Sequence, residues 1–281
     1  MGHTEPQHMI NNCNMKHISF LVTALVGLSL INCKGNSSND DAEYTDSDKL
    51  YEEEQMDESF LLEIDSLALD FGDFGALPII QDSADEVIEL TNEEKIAKPE
   101  YLLSPATGHA STIAEKYRKI GALSVDREIA YIYHMSPEDY EKAIMKLASE
   151  VNDPSLTEMG FADNAFQVPG ILYEAMSAND RGNYYWQIAT ASFIEQLFIT
   201  SQDPDKFIDT FDDEAVAKVF QRLSLLRKAI GKLTKYDSEL EPVMEAIRPL
   251  ANLKASTTDE FKALLINQRE QIATARKALV E

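Results

Sequence analysis

The stretch RGNYYWQIATASFIEQLFIT, residues 181–200, carries apolar side chains on every side of a helix. Its large apolar members are Tyr184, Tyr185, Trp186, Ile188, Phe193, Ile194, Leu197 and Phe198. A helix that is apolar all round belongs in the interior of a bundle, because no face of it is suited to water. We therefore predict that residues 181–200 form the central helix of an all-α domain.

The segments around this stretch show the three-and-four spacing of amphipathic helices. Residues 60–69 predict a short helix that ends near Gly72 and Gly75, and 85–90 predict another. Further apolar faces are Ala110, Ile113, Tyr117 and Ile120 in one segment; Val125, Ile129, Ile132 and Tyr133 in the next; and Leu240, Val243, Met244 and Ile247 near the end. No window alternates with the period of two that strands show.

Several residues mark helix starts and breaks. Ser136 before Pro137 predicts a start with a capping hydroxyl, and Asp212 predicts a second capped start. Residues 257–260, Thr-Thr-Asp-Glu, predict a capping box that opens the last helix. Pro169 with Gly170 predicts a broken helix over 161–178. We expect a multi-helix antiparallel bundle of about seven to nine helices.

The N-terminal region has the pattern of an export signal. Ile18–Ile31 is an apolar run of 14 residues without a charge, too short to span a bilayer as a helix, which needs about 20 residues. Leu30-Ile31-Asn32-Cys33 resembles a bacterial lipobox, with Asn32 where such signals usually have a small residue. We expect cleavage before Cys33 and acylation of that residue, against the alternatives of an uncleaved anchor or simple secretion. Met15 is the preferred start of translation.

These features divide the chain into three parts. Residues 1–32 are an upstream extension and a lipoprotein signal peptide, 33–59 an acidic flexible tether, and 60–281 one helical domain. The net charge of the chain is −24. Much of the acidic excess lies in residues 34–99, which contain 20 acids and four lysines. Such a field repels phosphate backbones, so we exclude nucleic acid as a partner.

Residues 101–281 are similar to a family of uncharacterised all-helical lipoproteins of Bacteroidota. The matching residues are Leu103-Ser104-Pro105, Lys119-Ile120-Gly121-Ala122, Asp126, Tyr131, Tyr140–Leu147, Arg181, Asn183, Phe193–Ile199 and Leu250. Gln196 departs from the small residue expected beside the central Glu. The resemblance implies export, lipidation, an all-helical fold and a helix ending at residues 119–122; it implies no activity.

The candidate site rests on polar residues in apolar surroundings. Glu195 lies mid-helix among large apolar residues, and Asp126 lies on a neighbouring apolar helix. A buried carboxylate needs a partner, and burial raises its pKa. With Tyr131, Asn183 and Trp186, these two acids form a tentative ligand or buried polar site. The alternatives are structural acids bonded to a backbone group or an Arg, acids on a narrow wet stripe with Gln187, Thr190 and Gln196, and an acid–base pair.

No metal, cofactor or catalytic motif is predicted. Asp203, Asp205, Asp209 and Glu214 fall at places of a calcium loop, but Phe207 and Ile208 occupy places where that loop needs an oxygen and a Gly. We expect a non-enzymatic lipoprotein of the cell envelope, in the outer membrane and facing the periplasm or the cell surface. Acyl chains on Cys33 would hold it in the membrane, and its helical domain would bind a protein or envelope component. The alternative is small-ligand binding in a cavity around Tyr131, Trp186 and Glu195.

Overall fold

Helices make up all of the regular structure in the computed structural model, which describes residues 58–73, 90–106, 110–158, 169–208 and 211–280. Within these ranges the chain forms twelve α-helices, nine of them with seven residues or more, and no strand. The predicted all-α bundle is therefore confirmed. The additional helices are short ones of four or five residues.

The α-helices are α1 (Glu58–Asp73), α2 (Asn92–Ile96), α3 (Ile113–Ile132), α4 (Pro137–Val151), α5 (Pro154–Glu158), α6 (Pro169–Ser177), α7 (Gly182–Gln202), α8 (Pro204–Phe207), α9 (Asp213–Leu233), α10 (Glu241–Ile247), α11 (Thr258–Asn267) and α12 (Arg269–Val280). Two 3₁₀ segments, Ser238–Leu240 and Arg248–Asn252, flank α10.

Helix α7 is the centre of the bundle. Of its 21 residues, 17 are buried, including the polar residues Gln187, Thr190 and Glu195. It packs against α3, α6, α8, α9, α11 and α12, so neighbours surround it. The prediction of a central helix from its all-round apolar character is confirmed.

Helix α3 lies against α7 and runs without a break through Gly121, where the sequence suggested that one helix ends and another follows. A Cβ at Gly121 would stand 2.5 Å from the carbonyl oxygen of Ile188 and 2.9 Å from the Ser192 hydroxyl. That hydroxyl donates a hydrogen bond of 3.0 Å to the Gly121 carbonyl. The glycine therefore serves the close approach of two helices, and the prediction of a helix end there was wrong.

Two predicted helix starts are confirmed. Helix α4 begins at Pro137, but the Ser136 hydroxyl makes no capping bond and donates instead to the Glu138 carboxylate at 2.5 Å. Helix α9 begins after Asp212, whose carboxylate accepts from the Ala215 N–H at 2.7 Å.

The predicted last helix consists of two. The Thr257 hydroxyl caps α11 by accepting from the Glu260 N–H at 3.3 Å, whereas the Glu260 carboxylate accepts from the Ser256 N–H at 2.8 Å rather than from Thr257. Helix α11 then ends at Asn267, and α12 follows directly after Gln268.

Other predictions fall partly or wholly outside the described residues. The signal peptide, Cys33, most of the tether and the segment 85–89 lie there, as do 161–168 of the predicted broken helix. Helix α1 ends at Asp73, next to Gly72 as predicted, and α6 begins at Pro169. Across the part of the chain that the structure describes, no helix has the length and apolar character needed to cross a membrane.

Candidate functional site

Three of the five predicted site residues are fully buried. Asp126 on α3 and Trp186 and Glu195 on α7 each have an exposed fraction of 0%. Trp186 and Glu195 are nine positions apart on the same helix, which separates them by about 13 Å at a rise of 1.5 Å per residue. They therefore belong to two different surroundings, with Trp186 in the first turns of α7 and Glu195 in its C-terminal half.

The other two predicted residues lie elsewhere. Tyr131 is 71% exposed in the last turn of α3, so it does not line the interior with Trp186 and Glu195 as predicted. Asn183, in the first turn of α7, is half-buried and donates to the Asp237 carboxylate at 2.8 Å. The five residues do not form one site.

In the C-terminal half of α7, Glu195 is paired with Arg276 of α12. The Arg276 Nε donates to Glu195 Oε1 at 2.9 Å and to Oε2 at 2.7 Å, and its Nη2 donates to the Tyr101 carbonyl at 3.1 Å. The guanidinium carbon also lies 4.2 Å from the centre of the Phe198 ring. A buried carboxylate thus has a cation, and the cation has further partners, as the burial of charge requires.

Asp126 completes this group, which we call the acid–arginine cluster (Asp126, Glu195, Arg276). Its Oδ2 accepts from the Leu103 N–H at 3.0 Å. Burial raises the pKa of Asp126 well above its ordinary value, and the charge of Glu195 raises it further, against the lowering effects of the Leu103 N–H and Arg276. Oδ1 of Asp126 has no donor among the described residues, although the Glu195 carboxyl is a hydrogen-bonding neighbour. Two carboxyl groups share a hydrogen bond only when one of them is protonated. Because both Glu195 oxygens accept from the Arg276 cation, we assign the proton to Asp126.

The acid–arginine cluster connects α3, α7, α12 and the segment that contains Tyr101 and Leu103. Both acids are inaccessible to solvent, and Glu195 has its cation at hydrogen-bond distance. The acid–arginine cluster can hold one proton and can fix α3, α7 and α12 against one another. An acid–base reaction needs a substrate within hydrogen-bond reach of one of these acids.

A second buried group, which we call the aromatic–arginine cluster, contains Tyr185 and Trp186 in the first turns of α7 and Phe193 near its middle, together with Phe71 and Arg222. Arg222, on α9, is 5% exposed, and its guanidinium carbon lies 4.3 Å from the Phe71 ring centre and 5.9 Å from that of Phe193. The Trp186 ring centre is 6.2 Å from that of Phe71 and 5.2 Å from that of Tyr185. Helices α1, α7 and α9 therefore contribute to one aromatic enclosure around a cation.

Four side-chain polar atoms of this cluster are not paired within the described part of the chain. Arg222 Nε and Nη1, the Tyr185 hydroxyl and Trp186 Nε1 are buried without a hydrogen-bond partner among the described residues. Burial lowers the pKa of Arg222 to about 10, and the nearby Tyr185 hydroxyl has the opposite, smaller effect. At neutral pH the guanidinium remains charged, so this largely buried cluster contains a positive charge.

Sequence reasoning found the two acids and missed both arginines. Arg276 falls four residues after Ile272 and three before Leu279, and Arg222 falls three after Val219 and four before Leu226. Each position lies on the apolar stripe of its helix. An Arg in such a position is the signal that identifies a buried cation.

Two further observations bear on chemistry. Within the described residues, no group of three or more His, Cys, Asp or Glu side chains is placed to hold a metal ion. Comparisons with protein-family models, curated proteins and solved structures found no match to this chain.

Proposed function

We propose that this chain is a lipid-anchored lipoprotein of the bacterial outer membrane whose helical domain binds a protein or another envelope component without catalysing a reaction. The anchor is supported by the apolar run Ile18–Ile31 and by the lipobox-like residues that end at Cys33. Several acyl chains, at about 0.8 kcal/mol for each buried CH₂, hold such a protein permanently at a membrane.

The observation that carries the non-catalytic part is the state of the two acids. Asp126 and Glu195 were the acids that the sequence offered for acid–base chemistry. Both have an exposed fraction of 0%, and Glu195 is bonded to Arg276. The packing of α3, α7 and α12 explains why these two acids are present. We therefore propose that the surface of the domain acts by binding.

The outer face of α1 supports a protein partner. Leu62 and Leu69, which are 63% and 49% exposed, are seven residues apart and so lie on one face of the helix. Asp70 next to them is exposed as well. A partner protein with an apolar patch edged by basic residues fits such a face.

The anchor is tested by Cys33→Ala in the full chain, with Cys13→Ala as the matched control, since these are its two cysteines. We expect the Cys33 variant to leave the membrane fraction without detergent and the Cys13 variant to stay in it. Retention of the Cys33→Ala protein in membranes would contradict lipidation at that residue.

The partner is tested by chemical cross-linking in intact cells, affinity capture and mass spectrometry. We expect one protein in stoichiometric amount, and we expect Leu62→Glu with Leu69→Glu to remove it. Ile266→Glu is the control, because Ile266 is 56% exposed on α11. A capture pattern unchanged by the double variant, or no partner at all, would contradict protein binding through α1.

Small-ligand binding inside the bundle is the second candidate. The specific observation in its favour is the set of unpaired donors around Arg222. Trp186, which the sequence placed in a tentative ligand site, belongs to that set, whereas Glu195 and Tyr131 do not.

A further inference from the structure

Three arginines are buried in the described part of the chain, and they differ in their partners. Arg118 donates through Nε to the Leu279 carbonyl and through Nη1 to Gln187 Oε1, each at 2.9 Å. Arg276 donates to Glu195 and to Tyr101. Arg222 has neither Nε nor Nη1 bonded to any described residue. The same interior that satisfies two buried guanidinium groups therefore leaves two donors of the third unsatisfied.

Aromatic packing accounts for only part of the surroundings of Arg222. The Phe71 ring at 4.3 Å stabilises the positive charge through its π face. The N–H bonds of a guanidinium lie in its own plane, however, and a ring does not accept them as an oxygen does. The in-plane donors Nε and Nη1 therefore still lack an acceptor, and leaving a buried charged donor unmet is among the costlier defects of a protein interior.

Two neutral donors lie beside the cation. The Tyr185 hydroxyl is near enough to Arg222 for the two groups to influence each other's pKa, and the Trp186 ring meets the Phe71 ring that covers Arg222. Both the hydroxyl and the indole N–H are buried and unpaired among the described residues. The unpaired donors of Arg222, Tyr185 and Trp186 thus belong to one cluster, and no carboxylate of the described residues is bonded to Arg222.

We propose that the aromatic–arginine cluster is an internal binding site for a small monocarboxylate with an apolar or aromatic body. One guanidinium matches one negative charge, and carboxylate oxygens accept the kind of donors that Arg222, Tyr185 and Trp186 present. A phosphate dianion would bring a surplus charge into an enclosure with a single cation. The rings of Phe71 and Phe193 suit an apolar body. This inference rests on the second candidate function, small-ligand binding inside the bundle, and names its ligand class; it does not depend on the anchor or on a protein partner.

The chain contains one Trp, and it is Trp186, so the fluorescence of this residue reports on the proposed site directly. The experiment is a titration of the full-length protein in detergent with butyrate and with benzoate, followed by Trp fluorescence and by Tm. Butyramide and benzamide are the controls, since they match the acids in shape and carry no charge. We expect a saturable fluorescence change and a rise in Tm with at least one acid and neither with the amides.

Variants separate the site from the fold. Arg222→Met should weaken binding by about 10- to 100-fold, because hydrogen bonds to charged groups are the strong ones, and Tyr185→Phe by about 3- to 10-fold. Arg118→Met and Tyr184→Phe are the matched controls: Arg118 is equally buried but paired, and the Tyr184 hydroxyl donates to Glu239 at 3.1 Å. Both controls should keep the affinity of the unchanged protein.

Stability without ligand provides an independent measurement. Arg222→Met removes an unmatched charge and should leave Tm unchanged or higher, whereas Arg118→Met breaks two hydrogen bonds and should lower it. If the Met variant fails to fold, Arg222→Lys keeps the charge and changes the donor geometry, and we expect it to fold and to bind at least threefold more weakly.

Three results would overturn the proposal. The first is no response to either acid. The second is an equal response to acids and amides, which would mean apolar binding alone. The third is a Met variant at position 222 that binds as well as the unchanged chain. Loss of membrane attachment or of a protein partner in the earlier experiments would leave all three measurements unaffected.

Discussion

Replacing Asp126 with Asn should make the stability of this protein less dependent on pH. An Asn side chain has the shape of the protonated Asp. Its carbonyl can accept from the Leu103 N–H, as Oδ2 of Asp126 does at 3.0 Å, and its amide can donate to Glu195. The substitution therefore keeps the acid–arginine cluster intact and removes one titrating group.

The sign of the effect follows from the direction of the pKa shift. Burial and Glu195 raise the pKa of Asp126, so the folded chain binds its proton more tightly than the unfolded chain does. The stabilising contribution of such a group is complete below the unfolded pKa, near 4, and is lost as the pH rises through the folded value. Within that window the free energy of unfolding falls by at most about 1.4 kcal/mol per pH unit for one proton.

The assay is urea unfolding of both proteins at pH values between 4 and 8. We expect similar free energies of unfolding near pH 4 and an advantage for Asp126→Asn that grows as the pH rises and then levels off. Parallel curves would refute the assignment of the proton to Asp126. A variant that loses stability relative to the unchanged chain as the pH rises would refute the direction of the pKa shift.

Arg276→Met, in the same cluster, should make the stability of the protein more dependent on pH. It leaves Glu195 without the cation that its oxygens meet at 2.9 and 2.7 Å, and breaking a buried pair in this way costs about 3–5 kcal/mol. We expect the Glu195 carboxyl, once it lacks its cation, to hold a proton more tightly in the folded variant, and hence a steeper loss of stability with rising pH. A slope no steeper than that of the unchanged chain would contradict this account.

Two further predictions concern packing and surface charge. Gly121→Ala should lower the free energy of unfolding by about 1–3 kcal/mol, because its Cβ would stand 2.5 Å from the Ile188 carbonyl oxygen. Gly170→Ala, whose Cβ would meet no atom of the described residues within 4 Å, should raise the free energy of unfolding by up to about 1 kcal/mol; urea unfolding measures both. The Lys206 ammonium and Thr91, the residue that caps α2, lower the pKa of Glu94 to about 2. The Glu94 carboxyl should therefore titrate near that value by NMR, and its pKa should move towards the ordinary value in Lys206→Met. A Glu94 titration that the variant leaves unchanged would show that Lys206 is not the cause.

The fold was predictable where local chemistry decides it. The apolar surface of residues 181–200 placed α7 in the centre, and Asp212 and Pro137 marked the starts of α9 and α4. The end assigned at Gly121 failed for a physical reason: a glycine inside a helix weakens it locally, but here it permits the close contact with α7. That contact is formed with residues about 70 positions away and leaves no trace in the sequence around Gly121.

The candidate sites show the same limit. Asp126 and Glu195 were identifiable because a carboxylate among apolar residues is unusual. Their cation, Arg276, is 81 residues from Glu195, and no local pattern connects the two. The exposure of Tyr131, by contrast, could have been predicted locally, because Tyr131 lies beside the apolar stripe of Ile129 and Tyr133 and not on it.

The two clusters differ in what folding alone explains. In the acid–arginine cluster, removing any one member leaves a buried charge or proton without its partner, so the packing of α3, α7 and α12 accounts for all three residues. Packing alone does not account for the arginine at position 222. A Leu or Met there would complete the apolar stripe of α9 between Val219 and Leu226 and would require no hydrogen-bond acceptor. The charge of Arg222 therefore calls for an anion from outside the described chain, and this makes the aromatic–arginine cluster, rather than the two buried acids, the place to search for a ligand.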